Sequence, residues 1–271
     1  MACSTIPASA EPARRGVPRR HFWHHMRQCC GRAVARGQVF VLILRHGAIQ
    51  ADESLLSSEE RRRAQRFLRR IDRDNLILGR CMIQHLVAPA SRPRPVDIAV
   101  GTHGKPYIDG GHAFNLAHSD RYVACAVCAS RPVGIDVEIF KHGQTNAELL
   151  PLIAHPSERQ LIEAQSGTKR DALFLRCWTR KEALLKQRGT GLIDDLCDID
   201  VMLDVPSPLL QYPNAIRLLD MVAPVRGLYA ALAVDGAIRQ VVLCFAELAA
   251  DTDHRPTTVI ILSQQRIIID S

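Results

Sequence analysis

The chain has 271 residues, 47% hydrophobic and 23% charged, a balance that suits a globular protein with a substantial core. Its formal net charge is +7, but residues 1–36 hold seven arginines (14, 15, 19, 20, 27, 32 and 36) against Glu11, which leaves +1 for everything after them. That distribution removes the case for nucleic-acid binding by the folded body, and no run approaches the roughly 20 apolar residues of a membrane span.

In chain order, residues 1–37 read as a disordered basic extension, without the apolar region of a signal peptide. The chain therefore reads as cytoplasmic. Residues 38–44 form a short apolar run of strand length. Ser57-Ser58-Glu59-Glu60 then opens a helix, with a serine cap and acids in the first turn. Phe67, Ile71 and Leu78 give it an apolar stripe that continues through Cys81, Met82 and Leu86. Arg92-Pro93-Arg94-Pro95 is a break, and strand-like segments follow at 96–100, 105–108, 113–117, 122–128 and 133–139.

Nine cysteines at irregular spacing describe no disulfide framework. Cys125 and Cys128 make a C-x-x-C, but three residues apart on a strand they point to opposite faces and read as buried thiols. Helices are expected over 156–165 and 171–188, then strands over 227–234 and 241–248. Residues 249–271 read as a tail with one strand at 259–262. The order predicts an α+β fold of two similar, pseudo-symmetric lobes, 38–150 and 151–248, each a helix with antiparallel strands. No glycine-rich dinucleotide or P-loop motif is present.

Three segments concentrate residues suited to chemistry. Gly134-Ile135-Asp136-Val137-Glu138 puts two carboxylates on one face of a strand, as a divalent cation with oxygen ligands requires. Trp178, Glu182 and Lys186 share one helix face at i, i+4 and i+8, and Gly189-Thr190-Gly191 ends that helix. On spacing alone, Glu182 and Lys186 read first as a surface ion pair. Gly104-Lys105-Pro106-Tyr107 holds a lysine in an extended backbone from which its ammonium can reach a phosphate. Phe114-Asn115-Leu116-Ala117-His118-Ser119 adds a histidine of interest beside a polyanion.

The ordered set G-K-P-Y, F-N-L-A-H-S, V-G-I-D-V-E and F-x-x-x-W-T-x-K-E-A-x-x-K, followed by G-x-G, resembles the Sfp-type 4′-phosphopantetheinyl transferase family over residues 38–248. The resemblance implies transfer of 4′-phosphopantetheine from coenzyme A to a serine of an apo carrier protein, with release of adenosine 3′,5′-bisphosphate. It implies Mg²⁺ held by Asp136, Glu138 and Glu182 with the coenzyme A diphosphate, and Lys186 neutralising that diphosphate. Lys105 and His118 would hold the nucleotide end with its 3′-phosphate, helped by Arg63, while Glu182 takes the serine proton and Trp178 packs. A monomer is implied.

Ala117, Asn75 and Glu60 depart from the family pattern, where serine, arginine and a basic residue are usual. Each departure would remove a coenzyme A contact. Two other readings stay open: a carrier-binding homologue with weak or no turnover, and another Mg²⁺-dependent phosphotransfer enzyme.

Overall fold

The computed structural model describes residues 15–101, 104–141, 148–191, 196–206, 208–211, 214–248 and 258–269. Residues 1–14 of the expected extension and 249–257 and 270–271 of the expected tail lie outside them. The chain begins with β1 (Arg15–Pro18), α1 (Arg19–Ala35), β2 (Val39–Arg45), α2 (Ser58–Gln65) and α3 (Arg70–Leu86). It continues with β3 (Ala99–Val100), β4 (Pro106–Tyr107), β5 (Ala113–Ser119), β6 (Tyr122–Cys128) and β7 (Val133–Ile139). Three helices follow, α4 (Leu150–Ile153), α5 (Pro156–Glu163) and α6 (Gly167–Arg188), before β8 (Leu209–Gln211) and β9 (Ala215–Asp220). The last described elements are β10 (Leu228–Asp235), β11 (Gln240–Leu248) and β12 (Thr258–Ile268).

The fold is α+β, built on a six-stranded sheet in the order β1-β12-β11-β2-β6-β5 and a four-stranded sheet in the order β7-β10-β9-β8. Strand alternation explains the layers. On β2, Phe40, Leu42 and Leu44 face α1 and α3, while Val39, Val41 and Ile43 face the second sheet. Cys125 and Cys128 of β6 fall on these opposite faces in the same way. On β10, Leu232 and Val234 enter the core between the sheets, and Ala231 and Ala233 lie under α6. The result is helices, sheet, sheet, helices, with strands buried on both sides.

Several expectations change. Residues 19–35, taken as part of a disordered extension, form α1, in which Phe22, Met26, Cys29, Cys30 and Ala33 are buried at helical spacing. The arginines that dominate the segment lie between those apolar positions and mask the stripe. The strand expected at 259–262 runs through β12 and pairs along β11. Most neighbouring strands are antiparallel as expected, but β2 and β11 pair in parallel. Through that pair β11 joins the sheet of the first half, while β7 pairs with β10 of the second. Each sheet thus takes strands from both sides of residue 150, and β7 lies at the seam between them. No helix among the described residues is long and apolar enough to cross a membrane.

Candidate active site

Gly134 sets the site. A Cβ there would stand 2.0 Å from the Ala183 carbonyl oxygen and 2.3 Å from the Gln187 amide nitrogen, so only glycine lets the α6 backbone lie directly on β7. That approach brings the even-numbered face of β7 against Glu182 and Lys186. The far side of α6 is fixed by buried charges. Arg180 is wholly buried and donates to Asp220 and to the carbonyls of Val201 and Met202. Lys181 pairs at 2.9 Å with Glu158, both buried, and donates to the Leu196 carbonyl. With 180 and 181 locked inward, Glu182 and Lys186 turn toward β7.

Asp136 is only 5% exposed. The Lys186 ammonium donates to its Oδ1 at 2.6 Å and stands 3.9 Å from Glu182 Oε2. Burial pushes the Asp136 carboxyl up to about 7 against the pull of Lys186, and Glu138 and Glu182 add to the rise. Its other oxygen, Oδ2, is buried with no hydrogen-bond partner. Glu182 is also raised, chiefly by burial, with Glu138 contributing against the pull of Lys186. Glu138 accepts a hydrogen bond from Ser119 Oγ at 2.7 Å, and that oxygen accepts from the Ile139 amide at 3.1 Å. The three carboxylates therefore share one field. Among the described residues, however, no three His, Cys, Asp or Glu side chains stand at metal-ligand spacing, and the cation lying between Asp136 and Glu182 is Lys186.

Beside them lies a cavity of about 280 Å³ lined by Gly104, Lys105, Glu182, Lys186, Gly189 and Gly191 among others. Gly189 caps α6 with φ +72°, a left-handed turn that ends the helix at the cavity wall. His118 keeps an exposed edge on β5. The protein around its ring, and the Lys186 charge, hold the imidazole below its usual range, partly offset by Asp72 and Glu138. Trp178 packs partly buried against the core under α6. Arg63 is exposed at the end of α2 and does not line the cavity.

Lys105 was expected to reach a phosphate. Its ammonium instead donates to three main-chain carbonyls, of Val133 (3.1 Å), Lys186 (2.6 Å) and Gln187 (3.2 Å). The departures from the family pattern also have local roles. Glu60 closes a capping box with Ser57 and pairs with Arg80. Asn75 is buried, 2.6 Å from His46 Nε2 through Oδ1, and donates to the Asp120 carbonyl at 3.3 Å. Ala117 fills the core between the sheets.

Four contributors went unassigned in the sequence reading: Asn115, which accepts from the Ile135 amide at 2.9 Å, and Ser119, Gly134 and Asp72. The first three sit inside the motifs already singled out, so their signal was adjacency. Asp72 carried none.

Two family models match the chain. The model of the 4′-phosphopantetheinyl transferase superfamily matches residues 132–219, and that of the 4′-phosphopantetheinyl transferase N-terminal region matches 47–130. The 4′-phosphopantetheinyl transferase HetI of Nostoc sp. is 33% identical over 189 residues, 67% of this chain and 79% of that protein. The chain belongs to the 4′-phosphopantetheinyl transferase family. A second family member, a 4′-phosphopantetheinyl transferase of Bacillus subtilis, is 33% identical over 141 residues, 51% of this chain and 62% of its own length. The transferase Sfp of Bacillus subtilis (strain 168) is 31% identical over 144 residues, with the same two shares. The chain thus spans under two thirds of these two relatives. Both family-model matches enclose the residues just described: β5 with Asn115, His118 and Ser119 in the first half, β7 and α6 in the second.

Proposed function

We propose that this transferase-family chain moves 4′-phosphopantetheine from coenzyme A to a serine hydroxyl of an apo carrier protein. The observation that carries the reading is the orphaned Asp136 Oδ2, buried beside Glu138 and Glu182 and next to a cavity that Lys186 also lines. A buried carboxylate oxygen without a partner is costly unless a ligand satisfies it. Hard oxygen donors on facing elements suit Mg²⁺, which would be held by Asp136, Glu138 and Glu182. When bound, the ion supplies charge compensation for the diphosphate and polarises its oxygens.

The remaining roles belong to the chain. Lys186 offsets the negative charge that the diphosphate brings to three carboxylates. Glu182, with its carboxyl raised by burial, accepts the serine proton, directly or through water. The serine oxygen then bonds to the β-phosphorus as the bond from that phosphorus to the bridging oxygen breaks. The leaving oxygen stays with adenosine 3′,5′-bisphosphate. His118, exposed on β5, would contact the nucleotide end. Coenzyme A and the apo carrier are the two substrates. The eight described cysteines are all free, in keeping with action in the cytoplasm.

Incubating the protein with coenzyme A, Mg²⁺ and an apo carrier protein should raise the carrier's intact mass by one phosphopantetheine, and chelation by EDTA should stop the gain. Binding of the carrier without a mass gain would leave a recognition protein, and hydrolysis of coenzyme A without transfer would leave a different phosphotransfer enzyme. Either result refutes the reading.

A further inference from the structure

β7 is the edge of its sheet and pairs with β10 alone. An open edge next to a second sheet leaves main-chain donors and acceptors that need partners. Side chains supply them here: Asn115 takes the Ile135 amide, Ser119 the Ile139 amide, and Lys105 the Val133 carbonyl. Lys105 alone of these three also grips α6. An α-helix leaves its last four carbonyls without intrahelical partners, and α6 ends at Arg188. Two of those carbonyls, on Lys186 and Gln187, accept from the Lys105 ammonium. A lysine ammonium has three N–H donors, and all three are used. The positive charge also sits where the helix dipole is negative. The aliphatic stem runs beside Gly189, where a Cβ would lie 3.4 Å from Lys105 Cδ.

We propose that Lys105 is a positioning residue: it ties the end of α6 to the start of β7 and so sets Lys186 against Asp136. The inference rests on the transferase reading for its kinetic readouts and stands on contacts with main-chain atoms only. It replaces the expected role of Lys105 as a nucleotide contact. Burial lowers the Lys105 ammonium to about 8. The tie joins Lys105 of the G-K-P-Y motif to the segment that carries Glu182 and Lys186, 81 positions away in the chain.

The test compares Lys105→Met, which keeps the stem and removes the donors, with the parent protein. A positioning role predicts kcat for transfer down by about tenfold or more, with KM for coenzyme A changed less than about threefold. The same factor should appear with 3′-dephospho-coenzyme A as substrate. Hydrogen exchange should quicken in the peptide spanning 183–191 of the free variant. A direct phosphate contact predicts the reverse: KM rises, kcat holds, the loss vanishes with the dephospho substrate, and exchange in 183–191 stays unchanged. That set of results overturns the proposal.

If Lys105→Met fails to fold, lysine NMR of the parent protein decides the matter. The chain has five lysines, at 105, 141, 169, 181 and 186. The Lys105 signal, assigned by through-bond correlation from its own backbone, should hold its position when coenzyme A is added. A large displacement would refute the positioning role. Absence of transfer by the parent protein would defeat the transferase reading, while the exchange readout would still report on the tie.

Discussion

Asp136→Asn is expected to lower transfer by roughly a thousandfold or more, about 4 kcal/mol at 1.36 kcal/mol per tenfold. The substitution keeps size and shape and removes the charge from the only one of the three carboxylates that is buried with an unpartnered oxygen. The 5% exposure of Asp136 decides what the variant does to stability. The carboxyl stands at about 7 in the fold against a usual value of 3.8, so the ionised form is disfavoured by folding. A group raised in this way supports the fold fully below about 4 and loses that support as pH climbs through about 7. The neutral amide should therefore melt no lower than the parent at pH 8, as thermal denaturation would show. Transfer at the parent rate in the folded variant would contradict the metal assignment, and a collapse of the melting temperature would contradict the electrostatic account.

Lys186→Met is expected to slow transfer by about a hundredfold, the scale of losing one charged contact to a transition state. Two effects combine. The diphosphate loses a compensating charge, and Asp136 loses the group that pulls its carboxyl down. The second effect has a sign: the Asp136 carboxyl rises further, so the acid limb of the pH–rate profile should move to higher pH. Rates measured between pH 6 and 9 separate the two. An unchanged rate across that range would return Lys186 to the surface ion pair that its i,i+4 spacing from Glu182 first allowed. A loss that is the same at every pH would keep the phosphate role and remove the coupling to Asp136.

What could be read from the chain alone depended on whether the deciding contacts were local. The facing of Asp136 and Glu138 follows from strand alternation, and the shared face of Trp178, Glu182 and Lys186 from helical spacing. Both are properties of short segments. The opposed faces of Cys125 and Cys128 were legible for the same reason. Where a side chain ends was not. An extended backbone at Lys105 is equally consistent with an ammonium aimed at a phosphate or at a helix end 81 positions away. Gly134 was visible as a glycine within a motif, yet the close approach it permits involves backbone atoms of α6 and becomes evident only when β7 and α6 meet.

The same limit governs the larger errors. The buried stripe of α1 is periodic, but seven arginines across residues 1–36 suggested solvent, and no local rule says that β1 will pair with β12 or that α1 will pack on the sheet's face. The parallel pairing of β2 with β11 joins segments some 200 residues apart, and strand propensity carries no partner. Glu60 and Asn75 looked like losses because only a ligand contact was considered for them. Each instead satisfies neighbours within the fold, Glu60 at the start of α2 and Asn75 between His46 and the turn at Asp120.

Asp136, Glu138 and Glu182 are proposed to take one divalent cation together with the coenzyme A diphosphate. Electron paramagnetic resonance with Mn²⁺ in place of Mg²⁺ tests this directly. The account predicts one bound Mn²⁺ per chain in the presence of coenzyme A, phosphorus hyperfine coupling from the diphosphate, and loss of both in Asp136→Asn. Mn²⁺ bound equally well by Asp136→Asn, or bound with no phosphorus coupling, would contradict it.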